Sequence, residues 1–117
     1  MDWKILDDRP IWQQLYRQLT QRIVAGIYPM GSRLPSVREL AAEAGVNPNT
    51  MQRALAALEQ DGLVITNRTA GRLVTAEEPL LKRIRMELAR EQIAAYLREM
   101  ETLGFSAEDA KTLLREE

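Results

Sequence analysis

The residues best suited to chemistry form one polar helix face near the middle of the chain. A tight turn at Gly45-Val46, an N-cap at Asn47 and the proline that follows it predict a helix that starts at residue 48. At about 100° per residue, one face of that helix carries Asn49, Gln52, Arg53 and Ala56. The opposite face is apolar and carries Met51, Ala54, Leu55 and Leu58. One face can therefore pack in a core while the other contacts a ligand.

The polar face offers hydrogen-bonding groups that match the edges of DNA bases. Asn and Gln amides can form paired hydrogen bonds with adenine, and the Arg53 guanidinium can do the same with guanine. The small Ala56 lets the helix approach the bases closely. A solvated helix surface with ordinary polar residues is the alternative interpretation.

Phosphate-binding groups are predicted around this face. The helix start carries capping groups at Asn47, Asn49 and Thr50, where free backbone N–H groups and the positive end of the dipole favour an anion. Arg38 begins the preceding helix and points from the same end of the motif. A salt bridge of Arg38 with Glu39 or Glu43 is the alternative.

A second group of cations lies in a turn between two β-prone runs. Arg68 and Arg72 flank Gly71, and glycine permits close approach of the backbone to a partner. A charged edge that discourages strand pairing is the alternative role. Every basic residue from Arg9 to Arg72 is an arginine, whose planar guanidinium suits phosphate.

The composition excludes several classes of function. The 117 residues contain no Cys and no His, which removes disulfides, thiolate or imidazole metal sites and histidine-based catalysis. The sequence has no apolar run of about 18 residues and no apolar segment after Met1-Asp2-Trp3-Lys4. We expect a soluble, cytoplasmic protein that is not an enzyme and uses no metal or cofactor.

Hydrophobic periodicity and capping residues predict a mostly α-helical chain. The predicted elements are a helix after Pro10 that stops at Gly26, a short helix from a Ser36–Glu39 capping box to Ala44, the helix from Pro48 to Asp61, a β-hairpin over residues 63–75, a long helix that ends at Gly104, and a last helix after Ser106. Three helices and a hairpin are the order of a winged helix-turn-helix, in which the third helix enters the major groove.

Residues 77–117 are predicted to form a two-helix dimerisation tail behind a DNA-binding domain of residues 1–76. The domain carries net charge +2 and the tail −3, which suits a tail held away from DNA. The apolar positions of the tail are Leu81, Ile84, Leu88, Ile93, Leu97 and Met100. A second copy of the chain is the simplest partner for them, and a tail folded back on its own domain is the alternative.

Several strings resemble the GntR family of bacterial transcriptional regulators. They are Pro10-Ile-Trp-Gln-Gln-Leu, Ser32-Arg-Leu-Pro-Ser-Val-Arg-Glu-Leu-Ala, Gly45-Val-Asn-Pro-Asn-Thr and Leu58-Glu-Gln-Asp-Gly-Leu-Val. The tail string Leu103-Gly-Phe-Ser-Ala-Glu-Asp resembles the YtrA-type branch, in which two helices replace a large effector domain. The resemblance covers nearly the whole chain.

This resemblance implies where the DNA contacts fall. They are Ser36, Arg38, Asn47, Asn49, Thr50, Gln52 and Arg53, together with Arg68, Gly71 and Arg72 in the wing. The family's wing usually shows Gly-x-Gly followed by Thr and an aromatic residue, whereas this chain reads Thr69-Ala70-Gly71-Arg72-Leu73. We expect the positive charge of Arg72 to compensate for this departure in the wing.

We therefore expect a sequence-specific transcriptional regulator, a repressor, that binds a near-palindromic operator as a homodimer. The resemblance further implies repression of operons that encode ABC-type transport systems. Control by a small-molecule effector near the dimer interface and control by protein abundance both stay open. A winged-helix module that binds protein instead of DNA is the alternative function.

Overall fold

The computed structural model describes residues 2–117, and its elements follow the predicted order. They are α1 (Ile11–Val24), α2 (Val37–Ala44), α3 (Pro48–Gln60), β1 (Val64–Asn67), β2 (Gly71–Val74), α4 (Glu78–Thr102) and α5 (Ala107–Glu116). The predicted fold class, a mostly α-helical winged helix-turn-helix followed by two helices, is confirmed.

α3 is the element against which α1, α2 and β1 all pack. Its apolar face is buried as predicted, and Met51, Ala54, Leu55 and Leu58 are each 0% exposed. Leu15 and Leu19 of α1 and Leu40 of α2 are also fully buried. Because three elements cover this face, α3 is held in one orientation about its own axis.

Local interactions define both ends of α2. Ser36 Oγ accepts a hydrogen bond from Glu39 N, and the Glu39 carboxylate accepts one from Ser36 N, both at 3.1 Å. The backbone hydrogen bond from Ser36 lowers the pKa of Glu39. Gly45 ends α2 with a φ of +69°, a left-handed conformation that strains residues with a Cβ.

An isolated β-bridge that the sequence did not predict extends the hairpin. β1 and β2 pair antiparallel. The connector between α1 and α2 lies along the other edge of β2, where Leu34 N donates to Arg72 O at 2.9 Å. A bridge between Arg33 and Leu73 continues this pairing. Part of the predicted connector is thus built into the wing.

Residues 4–6 are held against α1 by two glutamine side chains. The Gln18 amide accepts from Lys4 N at 3.0 Å and donates to Lys4 O at 2.7 Å. The Gln14 amide forms the same pair of hydrogen bonds with Leu6, both at 2.7 Å. Since the two glutamines are one helical turn apart, they satisfy alternate residues of an extended segment, as a neighbouring strand does.

A buried cation, Arg22, joins α1 to α2 and to the N-terminal segment. The residue is 4% exposed, and its guanidinium lies 3.8 Å from the centroid of the Trp3 ring. It donates to Tyr28 Oη at 3.1 Å and pairs with Glu43 at 3.3 Å. Trp3 Nε1 donates to the same carboxylate at 3.2 Å. Because an unpaired buried charge is costly, these contacts stabilise the arrangement of the three segments.

The chain divides into two compact units, Met1–Lys82 and Arg83–Glu117. In the second unit, Ser106 and Asp109 form a capping box at the start of α5, with both hydrogen bonds at 3.1 Å. Ala110, one residue further along, is fully buried. None of the helices within residues 2–117 has the length and apolarity needed to cross a lipid bilayer.

The contact between Tyr16 and Asp61 makes stability sensitive to alkaline pH. Tyr16 donates a hydrogen bond to the Asp61 carboxylate. Partial burial and then this hydrogen bond raise the pKa of Tyr16 from 10.0 to about 12. Because the pKa is higher in the folded state, the stabilising contribution of this phenol is complete below pH 10 and is lost as the pH rises to about 12.

We expect the unfolding temperature of the wild type to fall more steeply between pH 10 and pH 12 than that of Tyr16→Phe, which has no phenol to ionise. Thermal unfolding followed by circular dichroism at several pH values in this window measures both slopes. Equal slopes would contradict the contribution assigned to Tyr16.

Candidate nucleic-acid interface

The predicted base-contacting side chains lie together on the exposed face of α3. Asn49, Gln52, Arg53 and Ala56 are all exposed. The small Ala56 lies between Gln52 and Arg53 around the helix axis, as the periodicity of an α-helix requires. α3 therefore presents amide and guanidinium groups around a small residue, a surface that can approach base edges in a major groove.

The backbone at the start of α3 corrects the expectation of free N–H groups there. Pro48 has no N–H, and Asn47 Oδ1 accepts from Asn49 N at 2.7 Å. The carbonyl of Asn47 accepts from Thr50 N at 3.0 Å and from Met51 N at 3.1 Å. This terminus keeps the positive end of the dipole, but phosphate contacts there must come from side chains.

Arg38 is exposed in the first turn of α2, and the two nearby carboxylates are engaged elsewhere. Glu39 belongs to the capping box with Ser36, and Glu43 pairs with Arg22. Among residues 2–117, Arg38 forms no salt bridge with either of them. Its guanidinium is therefore available to an external anion.

Arg53 lies on the side of the exposed face that borders α1. Its guanidinium carbon is 4.4 Å from the centroid of the Trp12 ring. Trp12 is half-buried near the start of α1. A cation–π contact at such a site contributes about 0.5–1 kcal/mol. No local sequence pattern links these residues, because 41 positions separate them along the chain.

The turn of the wing is organised by Asn67. Its Oδ1 accepts hydrogen bonds from Thr69 N at 2.9 Å and from Ala70 N at 3.0 Å. Asn side chains commonly fix turns in this way. Arg68 lies within this turn and is exposed. The wing thus presents a guanidinium on an ordered loop.

Arg33 is a cation beside the wing that was not among the predicted site residues. It is exposed, and its Nε lies 3.5 Å from the position that a Cβ on Gly71 would occupy. Gly71 also has a φ of +81°, so its conformation favours glycine as well. Arg72 is half-buried, and its Nε has no hydrogen-bond partner among the described residues. The only sequence signal for the position of Arg33 beside the wing was a basic residue before the buried Leu34. Two residues are too few to predict a strand.

The predicted dimer contacts occupy different environments. Leu81 is 7% exposed and belongs to the first unit, so it packs within its own chain. The half-buried positions are Ile84, Leu88, Leu97 and Met100. Ile93 is 58% exposed.

A more exposed apolar stripe follows α4 and the residue after it. We call it the heptad stripe, and it consists of Met86, Ala89, Ile93, Tyr96, Met100 and Leu103. Met86 is 52% exposed and Leu103 is 70% exposed. The spacings alternate between three and four residues, which is typical of helices that pair along their length. The spacing of the heptad stripe is visible in the sequence. The stripe overlaps the half-buried positions, however, and the two sets together resemble a single apolar face that shifts gradually around the helix.

The chain is similar to known proteins along most of its length. Residues 11–74 match the family described as bacterial regulatory proteins, gntR family. The HTH-type transcriptional regulator YhcF of Bacillus subtilis is 33% identical over 109 residues, which cover 93% of this chain and 90% of that protein. The HTH-type transcriptional repressor YtrA of the same species is 31% identical over 108 residues, which cover 92% of this chain and 83% of that protein.

A solved structure extends this similarity to both parts of the chain. The GntR family transcriptional regulator from Listeria monocytogenes is 32% identical and matches with a TM-score of 0.84 over 97% of this chain and 99% of that one. The sequence similarity, the winged helix-turn-helix and the exposed polar face of α3 agree with one another. The chain therefore belongs to the gntR family of bacterial regulatory proteins, whose members are DNA-binding transcriptional regulators and not enzymes.

Proposed function

We propose that the chain is a repressor that binds a near-palindromic operator as a homodimer. The observation that carries this proposal is the division of α3 into two faces. Its buried face holds the helix in one orientation, and its exposed face presents Asn49, Gln52 and Arg53. In a major groove, the amides match adenine and the guanidinium matches guanine.

Contacts to phosphate are proposed for residues around this face. The Ser36 hydroxyl oxygen accepts a hydrogen bond from Glu39 N, which leaves its O–H free to donate. The other proposed phosphate contacts are Arg38 in α2, the side chains of Asn47 and Thr50, and Arg33, Arg68, the Gly71 backbone and Arg72 in the wing. Such contacts orient the protein on the duplex and make affinity depend on salt.

A second copy of the chain is the proposed partner of the heptad stripe. Its six positions carry no charge, and their spacing suits pairing with another helix of the same kind. Each large apolar side chain that becomes fully buried contributes about 1.5–3 kcal/mol, so several on each copy offset the cost of association. Ile93 and Met100 belong both to this stripe and to the contacts predicted from sequence.

In this proposal, residues 1–76 bind DNA and residues 77–117 hold two copies of the chain together. The similarity to YtrA, a repressor, over 92% of this chain supports the repressor role. A reporter gene behind the bound site tests it: we expect expression to fall when the chain is produced, and a rise would indicate an activator.

The DNA site itself is found by selecting duplexes from a library with about 30 random base pairs. We expect two inverted half-sites whose centres are about one helical turn apart, or a multiple of this distance. Enrichment of sequences without two-fold symmetry would contradict the homodimeric mode of binding. A failure to enrich any sequence would favour the alternative of a protein-binding module.

Replacing Arg38 tests its phosphate contact. We expect Arg38→Ala to weaken binding to the selected duplex and to random duplex alike, and to lower the slope of log K against log salt by about one unit. Titrations at several salt concentrations measure the slope. Arg98→Ala, which removes the same charge from an exposed position in α4, should leave the slope at the wild-type value. An unchanged slope in Arg38→Ala would remove Arg38 from the interface.

Replacing Gln52 tests base recognition. We expect Gln52→Ala to cost about 1–3 kcal/mol on the selected duplex and little on random duplex, because a paired hydrogen bond to one base is lost. Gln60→Ala, at the exposed C-terminal end of α3, is the matched control and should keep both affinities. Equal losses on the two duplexes would show that Gln52 contacts phosphate.

Replacing Ile93 tests the dimer. Ile93 is exposed in the single chain, so Ile93→Glu should leave the fold intact while placing a charge in the interface. We expect a monomer by sedimentation at micromolar concentration, and a loss of specific affinity of at least about tenfold, because separate copies lack the effective concentration of linked half-sites.

The control for this experiment is Ala94→Glu, which adds the same charge at an exposed position outside the heptad stripe. It should sediment as the wild type does. A dimeric Ile93→Glu variant would place the interface elsewhere, and a monomeric wild type would contradict the dimer altogether.

A further inference from the structure

We infer that Trp12 is a positioning residue for DNA recognition: its ring holds the Arg53 guanidinium in the orientation in which the guanidinium contacts a base. This inference rests on the proposed function of α3. It assigns a role to a residue of α1 that lies outside the predicted interface.

The first step is the geometry of the contact. The Arg53 guanidinium carbon is 4.4 Å from the centroid of the Trp12 ring, a distance within the range of cation–π contacts. A guanidinium can form such a contact through its planar face, and its N–H donors then point outward in the plane. The edge that would form two hydrogen bonds with guanine therefore stays free while the face is held.

The second step is the absence of competing partners. Among residues 2–117, no carboxylate forms a salt bridge with Arg53, and the residue is exposed on α3. Arg22 provides the contrast within the same chain. It also stacks on a tryptophan, but its N–H groups are bound by Tyr28 and Glu43, and it is buried. The cation–π contact of Arg22 therefore helps to stabilise the core. The cation–π contact of Arg53 leaves its N–H donors free for an external partner.

A hydrogen bond joins α1 to the end of α3 close to Trp12. Trp12 lies one helical turn before Tyr16 on α1, and Tyr16 donates a hydrogen bond to Asp61 at the end of α3. The neighbouring Leu15 is fully buried. The part of α1 that carries Trp12 is therefore fixed relative to α3 before DNA binds. An arginine held in this way loses less conformational freedom on binding, which improves specific affinity.

The experiment uses the full chain and the duplex selected with the wild type, with random duplex for comparison. We expect Arg53→Ala to lower affinity for the selected duplex by about tenfold and to lose selectivity at one base pair in each half-site. Trp12→Leu should lower affinity for the selected duplex by about twofold to fivefold, weaken selectivity at that same base pair, and leave random duplex unaffected.

Two variants separate positioning from folding. Trp12→Tyr keeps an aromatic face and should retain the wild-type affinity. Trp3→Leu removes the matched stacking partner of Arg22 and should lower the unfolding temperature without changing the ratio of specific to random affinity. In an Arg53→Ala background, Trp12→Leu should cause no further loss, because the two residues act through one contact.

The outcomes distinguish this inference from the proposed function. If Arg53→Ala leaves affinity for the selected duplex unchanged, the role of Arg53 in base recognition fails. If Arg53→Ala weakens binding but Trp12→Leu binds as well as the wild type or more tightly, Arg53 still contacts a base and the positioning role of Trp12 is overturned. Equal losses from Trp12→Leu with and without Arg53 would likewise overturn it.

Discussion

The burial of one face of α3 is the constraint on which the rest of the DNA-binding part depends. Helices α1 and α2 and strand β1 all pack against α3. The three largest side chains of its buried face, Met51, Leu55 and Leu58, each contribute about 1.5–3 kcal/mol by leaving water. Rotating α3 about its own axis by the angle of one residue, about 100°, would expose these side chains. The orientation of its polar side chains toward solvent is therefore a consequence of core packing.

Arginine serves opposite purposes in this chain according to what surrounds its N–H groups. Arg22 is buried, and its donors are satisfied by groups from separate segments, so it stabilises the fold. Arg38 and Arg53 are exposed, and neither pairs with a carboxylate among residues 2–117. The low net charge of the chain does not reveal this difference, because it counts every acidic residue against an arginine. The acidic residues close to the interface are already engaged, Glu39 in the capping box and Glu43 in the ion pair with Arg22.

The features predictable from sequence were those fixed within a few positions. The Ser36–Glu39 capping box, the Asn47-Pro48 start of α3 and the two faces of α3 follow from local spacing and formed as predicted. The features that were missed join distant segments: Gln14 with Leu6, Arg33 with Leu73, Trp12 with Arg53. The expectation of free N–H groups at the start of α3 was wrong, because the side chain and the carbonyl of Asn47 accept hydrogen bonds from these groups.

The size of the α3 surface argues for two copies on one operator. Specific binding of regulators exceeds their non-specific binding by about 4–10 kcal/mol. A well-placed amide or guanidinium contributes about 1–3 kcal/mol of base discrimination, so the base contacts proposed for Gln52 and Arg53 would give about 2–6 kcal/mol per copy. One copy thus reaches at most the lower part of the required range, whereas two linked copies would give about 4–12 kcal/mol and cover it. The exposed heptad stripe, with Ile93 at 58% exposure, supplies a surface through which that doubling can occur.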